Sequence, residues 1–177
     1  MARVPYPETS EELAAAFPPG NLLNVTRMLA HAQGVWASYA KTGGLLATTT
    51  LLPARLRELV ILRIAHLQVC SYELAQHEPL ARRYGVTEEE LAALRVDGEL
   101  DDGGFDETEH AALELVTEMI LEKDAADRTF DRAHAVLGDR GTVELLLLAG
   151  QYAGLALFLN TLRVDVDTDA VPAVPRM

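Results

Sequence analysis

The chain is poor in the features that mark most compartments and partner classes. It has one cysteine, Cys70, in 177 residues. A single thiol cannot close an internal disulfide, so nothing points to an oxidising compartment. Basic residues are scarce: 15 Lys and Arg against 27 Asp and Glu give a formal net charge of −12. Such a surface repels phosphate backbones and anionic lipid headgroups. Arg82-Arg83 is only a pair and does not reverse this, so neither nucleic acid nor a membrane surface is expected as a partner. Met1 to Ser10 carries prolines and no apolar segment, which argues against a signal peptide. The longest apolar stretch, Leu145 to Leu159, is short for a membrane span and is interrupted by Gln151 and Tyr152. The expected location is the cytoplasm. There is no alternating strand pattern and no series of short β-branched segments, so the sheet classes drop out.

What remains is helix. Apolar residues make up 49% of the chain, enough for one core at this length. The expected fold is all-α, a single domain spanning 1–177 with about seven to eight helices. Thr9 and Glu12 form a capping box that opens a short helix before Pro18-Pro19-Gly20. A stripe of Leu22, Val25, Met28, Leu29, Ala32, Val35 and Trp36 predicts a helix from Leu22 to Tyr39, closed by Gly43-Gly44. Pro53 suits the first turn of a helix that runs through Arg55 to His66. The next helix covers Ser71 to Tyr84 and stops at Gly85. Thr87 caps another, with Glu88, Glu89 and Glu90 in its first turn. Asp97 to Gly104 reads as an acidic loop, and Asp106 or Thr108 opens a helix to about Lys123. A short helix from Arg128 to Leu137 ends at Gly138, and the last runs from Thr142 to Leu162. Residues 1–20 read as an N-terminal extension and 164–177 as an extended tail. Ala149, Gly150, Ala153 and Gly154 allow close approach of another helix. The last helix is therefore either central in the fold or at a subunit interface.

One face concentrates residues able to do chemistry. Cys70, Glu73 and His77 stand at i, i+3 and i+7, stacked along a helix. Near a helix N-terminus a thiol is pulled toward thiolate, whereas an adjacent carboxylate opposes that. Glu73 is placed to hydrogen-bond His77, and such a pair can move a proton near neutral pH. Pro79 should bend the helix just beyond His77. Glu58 shares a line with Ile61, Leu62 and Ala65, so its carboxylate must pair or pay a desolvation penalty, and Arg55, three residues earlier, could pair with it on an exposed edge. Each residue also has a plain structural reading: Cys70 as a small core residue, Glu73–His77 as a surface pair, Glu58–Arg55 as a solvated ion pair. Glu58, Glu73, His66 and His77 could in principle ligate a metal, but no HExxH or paired-cysteine spacing supports it.

These residues also carry a resemblance. Arg57-Glu58-Leu59-Val60-Ile61-Leu62-Arg63, Cys70-Ser71-Tyr72-Glu73, Gln76-His77 and Gly85-Val86-Thr87-Glu88-Glu89 resemble the carboxymuconolactone decarboxylase family. That family shares an AhpD-like helical bundle with the alkylhydroperoxidases. The likeness runs from about Leu22 to Leu162 and includes Gly150-Gln151-Tyr152 and Asn160. The peroxidase branch uses a glutamate, a Cys-x-x-Cys pair and a histidine four residues beyond the second cysteine. Glu58, Cys70 and His77 fall on three of these positions, and Glu73 occupies the second-cysteine position. Without a resolving thiol the chain cannot cycle an internal dithiol.

The resemblance therefore implies the decarboxylase-type branch, in which a small carboxylated lactone loses carbon dioxide without a cofactor. His77, Glu73, Glu58 and Cys70 would be its catalytic residues, with Tyr72 and His66 lining the substrate site. It also implies a small-molecule substrate and a homo-oligomer of two, three or six subunits. Two other readings are a single-cysteine peroxidase or antioxidant built on Cys70, and a non-catalytic helical oligomer that binds a ligand or partner.

Overall fold

The computed structural model describes residues 1–8, 22–96, 98 and 100–167, together with the Asp102 backbone. The helix expected after Thr9 lies outside them. The described residues form seven α-helices and no strand: α1 (Asn24–Leu29), α2 (Trp36–Thr48), α3 (Ala54–Leu67), α4 (Ser71–Arg83), α5 (Glu88–Ala93), α6 (Glu107–Glu122) and α7 (Asp127–Leu162). A 3-10 turn at Leu100–Gly103 lies between α5 and α6.

The expected helix from Leu22 to Tyr39 is in fact two helices. Its apolar stripe continues through the break, but Gly34 turns the chain in the left-handed region at φ 79°, so α1 ends and α2 starts anew. Gly43-Gly44 does not close a helix; both residues lie inside α2. The helix runs on to a stretch where the hydroxyls of Thr48, Thr49 and Thr50 donate back to carbonyls four residues earlier. This end-of-helix bonding leads into Leu51-Leu52-Pro53. Gly138 marks the other break, with φ 66° and ψ 177° dividing α7 into two helical arms. Pro79 stands inside α4, which continues to Arg83.

α3 is the central element. Leu56, Leu59, Val60, Leu62, Ile64 and Ala65 are all buried, and α4, α6 and α7 pack around them. Two capping boxes fix the layer at one end, Thr87 with Glu90 on α5 and Asp106 with Glu109 on α6. Arg55 reaches both boxes. It donates to Glu109 at 2.7 Å, to the Gly85 carbonyl at 2.7 Å and to the Glu90 carboxylate. Arg55 is therefore not the partner of Glu58, because its planar fork is already occupied.

Residues 164–167 are not a free arm. Asp165 accepts hydrogen bonds from the Ala2 amide and the Tyr6 hydroxyl, and pairs with the N-terminal ammonium at 3.0 Å. Asp167 accepts from the Asn24 amide at 2.9 Å and from the Tyr72 hydroxyl at 2.5 Å. By length and composition alone α7 passes for a membrane span. In the fold, however, it is kinked, and Leu145, Leu148, Ala149, Ala156 and Leu159 on one face are core residues.

Candidate active site

α3 and α4 form an antiparallel hairpin whose turn passes through Val69, at φ 53°. Glu58 stands before that turn and His77 after it, and the closed hairpin sets them side by side. His77 Nδ1 lies 2.8 Å from Glu58 Oε2, and His77 Nε2 lies 3.2 Å from Glu73 Oε2. One imidazole is thus held between two carboxylates, both on buried residues. Only the imidazolium can donate from both ring nitrogens at once.

The energetics agree with that geometry. Burial opposes the charge on His77, but hydrogen bonds and Coulomb attraction from Glu58 and Glu73 outweigh it. Together they push the pKa from 6.5 up to about 9. At neutral pH His77 is therefore cationic and is an acid.

Two tyrosines complete the wall. Tyr152, on α7, stands edge-on to the imidazole, with ring centroids 5.3 Å apart and an interplanar angle of 87°. Burial, with Glu73 and Glu58 nearby, holds its hydroxyl protonated well above the usual phenol range. Tyr39, on α2, donates its hydroxyl to the Gln151 carbonyl at 3.3 Å. Burial and the Glu73 charge likewise raise its pKa. The site therefore offers an imidazolium and the Tyr152 phenol, while the Tyr39 proton is given to the Gln151 carbonyl. This is equipment for donating protons and hydrogen bonds to developing negative charge.

The other expected site residues lie elsewhere. Cys70 is fully buried at the N-cap of α4, in an apolar cluster with Met28, Ala65, Tyr72, Ala156 and Leu159. Burial raises its thiol pKa and outweighs the lowering by the Glu73 and Tyr72 amides. Tyr72 belongs to the same cluster. Its hydroxyl is committed to Asp167 and accepts from the Val25 amide at 3.2 Å. His66 is eight residues beyond Glu58, roughly 12 Å along the helix axis. Among the described residues no group of three His, Cys, Asp or Glu side chains is arranged to hold a metal ion. Tyr39 and Tyr152 are the members that residue patterns did not single out. Tyr152 lay within the resemblance, but nothing in α2 marked Tyr39.

A profile of the carboxymuconolactone decarboxylase family matches residues 33–118. That segment holds Tyr39, Glu58, Glu73 and His77, and solved AhpD-like structures share the fold of nearly the whole chain. Over residues 33–118 the chain is similar to the carboxymuconolactone decarboxylase family, and its fold is AhpD-like. A peroxidase-related protein from Silicibacter sp. TM1040 superposes with a TM-score of 0.83 at 13% identity, over 99% of this chain and 96% of that one. An alkylhydroperoxidase AhpD core protein from Ralstonia eutropha JMP134 gives a TM-score of 0.75 at 16% identity, over 97% of both chains. A cysteine-to-alanine variant of the debrominase Bmp8, bound to 2,3,4-tribromopyrrole, gives 0.75 at 11% identity, over 96% and 95%. At these identities the superpositions speak for the fold. No curated protein sequence matches.

Proposed function

We propose that this protein is a cofactor-free lyase or related proton-transfer enzyme, acting on a small carboxylated lactone or similar metabolite. The observation that carries this reading is the clamping of His77 between Glu58 and Glu73, beside Tyr152. In a decarboxylation, the bond from carbon to the carboxylate breaks and carbon dioxide leaves. The electron pair stays on the substrate as a conjugated enolate. His77 then gives carbon its Nε2 proton, the one held at the longer distance of 3.2 Å from Glu73, keeps its Nδ1–H on Glu58 and is reprotonated from solvent. Tyr152 donates a hydrogen bond to the enolate oxygen, and the two carboxylates hold the ring in place.

The test is turnover of a confirmed substrate. His77→Gln should lower kcat by about 10²–10⁴-fold, the usual worth of a positioned general acid. Unchanged turnover would end the reading. Glu58→Gln and Glu73→Gln should each lower kcat less and shift the basic limb of the pH profile downward, because each removes one support of the imidazolium.

The alternative reading is a single-cysteine peroxidase, and its support is the peroxidase-related structural neighbours. Against it stand the complete burial of Cys70, the raised thiol pKa and Glu73 in the resolving position. Mild peroxide followed by sulfenic-acid trapping and intact mass should leave Cys70 unmodified. A trapped adduct at Cys70 would favour the peroxidase instead. A non-catalytic role fits less well, since Glu73 and His77 converge inside the fold rather than facing solvent. The same reading expects no cofactor, a cytoplasmic location and a homo-oligomer, with neither nucleic acid nor membrane as a partner.

A further inference from the structure

The first arm of α7, before Gly138, has two unlike flanks against α6. On one of them the charges answer each other. Arg132 is shared by Glu107 and Glu114, and Glu118 accepts the Thr129 hydroxyl at 2.7 Å and the Ala126 amide at 2.9 Å. The other flank is a cleft of about 460 Å³. Leu115 and Met119 of α6, Phe130 of the first arm of α7 and Leu146 of the second arm line it. Because α7 breaks at Gly138, three helical stretches contribute walls to one hollow. Its volume lies in the range of small-molecule sites, and an apolar floor is what such sites have.

The aromatic wall is held in place. Phe130 is 38% exposed and stacks on His134, with ring centroids 5.7 Å apart and an interplanar angle of 9°. His134 Nε2 in turn lies 2.6 Å from Asp139 Oδ1, across the Gly138 break. A ring kept open to solvent in a fixed position gains hydrophobic free energy when an apolar body covers it.

The rim sets the sign of the ligand. Lys123 donates its ammonium to the Ile120 carbonyl, and Asp124 Oδ1 accepts the Ala125 amide at 2.9 Å. Asp127 also lines the cleft, yet among the described residues it makes no hydrogen bond and no ion pair. Its place in the first turn of α7 suits the helix dipole, and this leaves both carboxylate oxygens open to a donor. Arg128, its neighbour in sequence, lines the opposite flank with Glu114, Thr129 and Arg132. The rim thus sets two carboxylates against one ammonium that is already engaged. An anionic ligand is repelled there, and a neutral one leaves Asp127 unanswered. A cation on an apolar body satisfies both rim and floor.

We propose that this cleft is a second binding site, sharing no residue with the one around His77, for a small organic ammonium with an aromatic or branched aliphatic body. The body lies on Leu115, Met119 and Leu146 beside Phe130, and the ammonium donates to Asp127.

2-Phenylethylamine tests this, with 2-phenylethanol and 3-phenylpropionate as its neutral and anionic counterparts. Binding to the full chain at pH 7.5 is read by calorimetry and from the Met119 methyl resonance. The amine should bind saturably and move the Met119 methyl while leaving the His77 ring resonances in place. The alcohol should bind at least fivefold more weakly and the carboxylate at least tenfold. Asp127→Asn should bring the amine down to the affinity of the alcohol and leave the alcohol unchanged. Phe130→Ala should weaken both at least fivefold, and both variants should keep the wild-type thermal transition. Glu89→Gln, which removes an exposed charge on α5, should leave the amine affinity as it was. No saturable binding by the wild type, equal affinity for amine and carboxylate, full amine affinity in Asp127→Asn, or a shift at His77 in place of Met119 would each overturn the proposal.

Discussion

His77 is the residue on which most of the chemistry turns, and its position has a measurable thermodynamic consequence. Its folded pKa, about 9, lies above the 6.5 of an unperturbed histidine. The stability this confers is fully present below pH 6.5 and is lost as pH rises through about 9. Over that window the shift corresponds to roughly 3 kcal/mol. Urea unfolding at several pH values should show the wild type losing stability between those limits. His77→Gln should show a flatter profile, and equal slopes in the two proteins would contradict the clamp. The sequence placed Glu73 and His77 together because i, i+4 spacing on one helix is a local property. Glu58 could be suspected because a carboxylate on an apolar line needs a partner. The identity of that partner was not readable, since Arg55 was nearer in the sequence and His77 nearer only once the hairpin had closed. Tyr39 and Tyr152 were further out of reach. Residues 39 and 151 are linked by a hydrogen bond across 112 positions, and no periodicity reports such a contact.

At the scale of elements, local chemistry told where helices start better than where they stop. Thr87 and Asp106 each have a glutamate three residues on, and both form full capping boxes. Glycine was a poorer guide. Gly34 breaks a helix inside an unbroken apolar stripe, whereas Gly43 and Gly44 lie within one, and only the backbone dihedrals tell the cases apart. The same capping boxes carry a tertiary role that the sequence did not show. Their third-position glutamates, Glu90 and Glu109, meet at Arg55, so one guanidinium ties α3 to the starts of α5 and α6. Arg55→Met should cost about 3 kcal/mol, because it leaves two partly buried carboxylates facing each other without a cation. Adding Glu90→Gln and Glu109→Gln to that variant should recover part of the loss. If Arg55→Met unfolded at the wild-type urea midpoint, Arg55 would have no such role.

For the whole molecule, the unresolved balance lies on the outer face of α7. Its inner face is core, yet Val143, Leu147 and Leu157 are 57%, 59% and 61% exposed, and Gly150 and Gly154 between them are exposed as well. Positions 143, 147, 150, 154 and 157 alternate in steps of four and three, the spacing with which one helix docks along another. Leu51, whose amide donates to Glu144 on α7, is also exposed beside it. The inner side of this helix is a central element of the core, and the outer side is the one a subunit interface would use. A second copy of the chain is the expected occupant, since an identical helix presents the same spacing in return and small residues at the middle permit close approach. Light scattering should find an oligomer of two, three or six subunits at micromolar concentration. Leu147→Glu should shift it toward monomer while leaving the far-ultraviolet circular dichroism unchanged, because the side chain faces outward. A wild-type monomer at working concentration would remove the interface and leave that apolar face to another partner. Should Leu147→Glu also lower turnover, the dependence would be conveyed through α7, because the seam and Tyr152 share that helix and Gly150 is only two residues from the tyrosine that stands against His77.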